Sequence, residues 1–113
     1  MNPSVDLRWE ERTEGACALH GTLVFATAAA ALAEGRGRLG RGALSRLDLA
    51  GLVQADSAAL AVLLVLRGEA ARAGGGLTIE HPPASLSALA SLCEVAGLLG
   101  LSAAGEPVQR GAD

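Results

Sequence analysis

Nine consecutive apolar residues, Ala58 to Leu66, follow directly on Asp56 and Ser57. This run narrows the possible folds more than any other feature of the chain. It is far too short to cross a bilayer, which takes about 20 apolar residues. Asp and Ser are strong helix N-cap types, so the run predicts a buried helix from about Ala58 to Ala73, ended by Gly74-Gly75-Gly76. Ala59, Val62, Leu63, Leu66 and Ala70 form the stripe that a helix needs to lie on a sheet. Leu60, Ala61, Leu64 and Val65 are apolar too. Either the helix is buried between the sheet and another helix, or its second face begins a protein-binding surface.

The flanking segments supply the sheet. Leu7, Trp9 and Glu11 alternate with Arg8, Glu10 and Arg12, predicting a short edge strand. Thr13-Glu14-Gly15 reads as a turn into a second strand, Ala16 to His20, ended by Gly21-Thr22. Phe25 to Glu34 predicts an Ala-rich helix stopped by Gly35, followed by a Gly/Arg loop to Gly42. Leu44 to Leu49 predicts a third strand, and Ala50 to Ala55 a connection. Leu77 to Glu80 predicts a fourth. Pro82-Pro83 opens a last helix, whose buried face carries Leu86, Leu89, Ala90 and Cys93. Leu98, Leu99 and Leu101 are expected to dock on the core, with a loose tail from Gly105 to Asp113. The order β-β-α-β-α-β-α predicts one α/β domain over residues 1–104, with a four-stranded, mixed but mostly parallel sheet and about three helices.

Composition closes off several chemistries. All nine basic residues are Arg, and the net charge is −3. Without Lys, neither a conventional P-loop nor Schiff-base chemistry is open to the chain. Net acidity and only two aromatics, Trp9 and Phe25, argue against a nucleic-acid platform. Cys17 and Cys93 form no CxxC pair and read as buried apolar residues. The charged segment from Met1 to Arg12 predicts no signal peptide, hence a cytoplasmic protein.

Gly35-Arg36-Gly37-Arg38-Leu39-Gly40 matches a dinucleotide fingerprint in spelling. Its context is reversed, with a helix before it and a strand after it, so a solvated loop is expected. Arg36, Arg38 and Arg41 would give that loop some affinity for an anionic surface. His20 and His81 lack a metal-ligand spacing and read as exposed loop-edge residues. Ser57, His81 and Asp48 assemble a triad on paper only, with no nucleophile elbow. No catalytic residue, cofactor or metal is therefore expected. Ser57 has two readings: an N-cap hydroxyl, or a contact and possible phosphorylation point. A phosphate beside Asp56 would meet like-charge repulsion and disrupt an apolar contact there.

Leu47-Asp48-Leu49-Ala50-Gly51 and Ala55 to Leu64 together resemble the signature of STAS domains. Leu19 to Ala28, with its Phe25-Ala26-Thr27 core, is similar to the corresponding segment of the MlaB-like branch, as is Pro82-Pro83 with Leu86, Leu89 and Ala90. The resemblance runs from about Leu7 to Leu101. Ala50, Thr22 and Ala59 depart from it, the last standing where the family usually has Gly. The resemblance implies a non-catalytic subunit that binds and stabilises an MlaF-like ABC ATPase of a lipid-transport complex. That subunit would be cytoplasmic and would reach the inner membrane only through its partner. It also implies a partner-binding set of Thr22, Phe25, Asp56, Ser57, Ala58, Ala59, Leu60 and Ala61. The alternative within the family is an anti-sigma factor antagonist phosphorylated at Ser57.

Overall fold

In the computed structural model, residues 6–101 can be described. Their order is β1 (Leu7–Glu11), β2 (Ala16–Leu23), α1 (Phe25–Gly40), β3 (Arg46–Ala55), α2 (Ser57–Arg72), β4 (Thr78–Glu80), α3 (Ala84–Leu92) and α4 (Ala96–Leu99). The strands form one sheet in the order β1-β2-β3-β4. β1 is antiparallel to β2, whereas β2–β3 and β3–β4 are parallel. This is the mixed, mostly parallel α/β arrangement expected from the alternation of elements. The expected tail from 105 to 113 lies outside the described residues.

Strand alternation sorts the sheet into two faces. Glu11, Cys17, Leu47 and Ile79 share one cross-strand row, and Glu10, Ala18, Asp48 and Glu80 the next. The first face supplies Leu19, Leu47 and Leu49 to a core completed by Leu63, Leu66, Leu86 and Leu99, all fully buried. The second face is charged. There Arg12 pairs with Asp48, His20 with Glu10 (2.6 Å), His81 with Asp48 (3.1 Å) and Arg46 with Glu80 (3.4 Å).

Several expectations need correction. α1 does not stop at Gly35 but runs to Gly40. A Cβ at Gly35 would lie 2.7 Å from Leu66 Cδ1, so this glycine is where α1 and α2 press together. Gly35 to Gly40 is therefore helix, and the fingerprint reading has no loop to stand on. Arg36 and Arg38 are not a free basic patch either. Arg36 pairs with Glu69 of α2 (2.8 Å). Arg38 pairs with Glu34 and Glu11 and lies 5.1 Å from the Trp9 ring centroid.

β3 also runs further than expected, through Ala50 to Ala55. Its register against β2 shifts twice, between Ala18 and His20 and between Gly21 and Thr22. These bulges interrupt the alternation that marks a strand. They bring Leu52 inward and leave Val53 exposed. β2 likewise continues past Gly21 to Leu23. Cys17 is buried as expected, but Cys93 is exposed, because α3 ends at Leu92 and the chain turns there. Leu99 and Leu101 dock on the core while Leu98 stays exposed. His20 is not at a strand end but inside β2, half-buried against Glu10.

Candidate functional site

The N-termini of α1 and α2 lie side by side at the ends of β2 and β3, where Leu23 pairs with Ala55. One carboxylate holds them together. Asp56 Oδ1 accepts from Ala58 N–H (2.8 Å), the N-cap bond of α2, and Oδ2 accepts from Phe25 N–H at the start of α1 (3.2 Å). Asp56, not Ser57, is thus the cap. Ser57 is the first helical residue and is exposed.

α1 has its own device. Thr27 Oγ1 accepts from Val24 N–H (3.0 Å) and donates to Thr22 C=O (2.8 Å). This satisfies one of the N–H groups at the helix start and ties the first turn to the end of β2.

Between the two helices runs an open groove of about 420 Å³, lined by Phe25, Ala28, Leu32, Ala58, Ala61 and Val65. Each lining residue is apolar, and Phe25, at its mouth, is 85% exposed. Both readings of the α2 apolar surface are realised, on different sides of the helix. Ala59, Leu60, Val62, Leu63, Leu66 and Ala70 are buried, while Ala58, Ala61 and Val65 line the groove.

The expected partner-binding set divides accordingly. Phe25, Asp56, Ser57, Ala58 and Ala61 come together around the groove and its rim. Thr22, Ala59 and Leu60 do not present side chains there, because they are 3%, 0% and 4% exposed. The Ala59 methyl points into the core, so it is packing, not a partner's approach, that this departure from Gly alters. Ala28 and Leu32 also line the groove but were not in that set, whereas Val65 was already read as part of the second apolar face of α2. The signal for Ala28 and Leu32 was their helical spacing from Phe25, inside the helix expected from Phe25 to Glu34.

The paper triad fails on geometry. His81 and Asp48 do meet, but on the charged sheet face, whereas Ser57 lies at the helix N-termini. Asp48 is held below its ordinary pKa by the Ala50 N–H first, opposed by its partial burial and aided by Arg12 and His81. Glu10 is lowered mainly by its hydrogen bond to His20. Among the described residues, no group of three His, Cys, Asp or Glu side chains is placed to hold a metal ion. No helix there is long and apolar enough to cross a membrane.

A family model described as "Mlab, STAS domain" matches residues 9–102. The chain belongs to the MlaB-type STAS domain family. Its STAS fold is shared with solved structures. The anti-sigma factor antagonist SpoIIAA in its unphosphorylated form superposes with a TM-score of 0.61 at 15% identity, covering 80% of this chain and 83% of that one. The Bacillus cell fate determinant SpoIIAA in its phosphorylated form superposes with a TM-score of 0.63 at 15% identity, covering 83% and 87%. No curated protein matches the STAS chain by sequence.

Proposed function

We propose that this STAS domain is a non-catalytic subunit that binds, stabilises and regulates the MlaF-like ABC ATPase of a lipid-transport complex. The supporting observation is the all-apolar groove between α1 and α2 in a chain of the MlaB-type family. An exposed apolar groove with a rigid polar rim suits a helix or loop of a protein partner better than a small polar substrate. Phe25, 85% exposed at the groove mouth, is the natural anchor, since aromatic side chains that become buried on binding dominate many interfaces. Asp56 fixes the spacing of the two helix starts and so the width of the groove. In this role the domain works at the cytoplasmic face and reaches the membrane through its partner.

Co-purification with the organism's lipid-transport ABC ATPase is the test. The wild-type chain is expected to capture the ATPase, and Ser57→Arg, which sets a long charged side chain at the rim, to release it. A wild-type chain that never retains the ATPase rules the proposal out.

The second reading is an anti-sigma factor antagonist. The exposed Ser57 hydroxyl favours it, together with a fold shared with SpoIIAA in both phosphorylation forms. Incubation with ATP and an anti-sigma kinase would then add a single phosphate at Ser57. An unchanged mass leaves the ATPase reading in place.

A further inference from the structure

β1 is an edge strand, and among the described residues nothing pairs with its outer side. Its hydrogen-bond phase is fixed by its two ends. Thr22 N–H donates to Asp6 C=O (2.7 Å), and Arg12 N–H donates to Ala16 C=O (2.9 Å). Antiparallel alternation then turns the main-chain groups of Asp6, Arg8, Glu10 and Arg12 towards β2 and those of Leu7, Trp9 and Glu11 outwards. A groove of about 460 Å³ lies between Asp6, Leu7 and Trp9 on one side and the first half of α1 on the other.

Exposed edges are usually blunted by charge against pairing with other chains. Here the charges alternate in sign, in the order Asp6, Arg8, Glu10, Arg12. That order is self-complementary about Trp9. In a two-fold antiparallel pair centred on Trp9, Arg8 stands opposite Glu10 of the partner subunit, and Asp6 opposite Arg12 of the partner subunit. The outward groups of Trp9 meet their own copy, and those of Leu7 meet those of Glu11 across the axis. The charged residues then occupy the non-hydrogen-bonded positions, where opposite side chains come closest. Moving the axis by one residue destroys the match. Centred on Arg8 it sets arginine against arginine, and centred on Glu10 glutamate against glutamate.

We infer that two copies of this chain pair through β1, joining their sheets into one eight-stranded sheet whose register is set by the Arg8–Glu10 cross-strand ion pairs. Arg8 forms no ion pair among the described residues, so it is available for this role. The interface is small and the dimer accordingly weak and dependent on concentration and salt. It lies on a different edge of the molecule from the α1/α2 groove and does not depend on the ATPase reading.

Sedimentation of the full chain over rising concentration tests the dimer. The wild type is expected to shift from monomer towards dimer. Arg8→Glu or Glu10→Arg alone sets like charges opposite one another twice per dimer and should weaken self-association by about tenfold or more. Mixing the two single variants should restore association as a heterodimer, and the double variant R8E/E10R should restore the homodimer. Circular dichroism verifies that each variant is folded. Arg8→Glu keeps Glu10 and its bond to His20, so it tests the charge match even where Glu10→Arg disturbs the monomer. A wild type that stays monomeric at about 1 mM overturns the inference. So does a dimer that is indifferent to the charge swaps.

Discussion

Asp56 illustrates how much one side chain settles at the residue scale. From the sequence, Asp56 and Ser57 were both plausible caps, since each type accepts a backbone N–H equally well. The structure gives the cap to Asp56 and leaves the Ser57 hydroxyl exposed. Asp56→Ala is therefore expected to lower stability by about 1–2 kcal/mol, as loss of an N-cap does. Ser57→Ala should change stability by no more than about 0.5 kcal/mol. Urea unfolding midpoints of the two variants check both, and a larger loss for Ser57→Ala would reverse the assignment. Thr27 is the second residue of this kind. Its buried hydroxyl serves Val24 N–H and Thr22 C=O together, so Thr27→Val leaves both unpaired at a cost of about 1–3 kcal/mol. Nothing in the spacing of Phe25-Ala26-Thr27 distinguishes that threonine from a solvent-facing one, so its role was not legible.

At the scale of elements, what the sequence hid was contact between them. Gly35 reads as a helix stop because glycine ends helices far more often than it continues them. Its actual reason is Leu66, which fills the space where its Cβ would be. Gly35→Ala should gain about 1 kcal/mol in helix propensity yet lose about 1–3 kcal/mol by overpacking against a fully buried leucine. A net fall in melting temperature is expected, and a rise would show that α1 and α2 can move apart cheaply. β3 was shortened for a similar reason. Two register shifts against β2 break its alternation, so Leu52 and Val53 looked like a connection rather than a strand. In contrast, α2 was legible almost to its ends, because its apolar run is long, capped and free of breakers.

For the whole molecule, order and layering were legible because they follow from alternating periods and from one apolar face per element. The charged sheet face was not, since ion pairs such as Arg12–Asp48 and His81–Asp48 join residues distant in sequence. That face gives the protein a pH dependence. Asp48 is more acidic folded than unfolded, so its stabilising contribution is complete at neutral pH and fades as pH falls below about 4, through its lowered folded pKa. The stability gap between the wild type and Asp48→Asn should be widest at pH 7 and close on acidification. An equal gap at pH 7 and at pH 3 would mean that Asp48 contributes through packing alone.

The proposed function depends on the groove rather than on this charged face, and the two can be separated in one titration. Purified lipid-transport ABC ATPase is titrated calorimetrically with the wild-type domain, with Ala61→Arg on the groove wall, and with Arg46→Ala on the charged face. The groove account predicts saturable binding by the wild type and by Arg46→Ala, and at least tenfold weaker binding by Ala61→Arg. Binding by Ala61→Arg as tight as that of the wild type would contradict it.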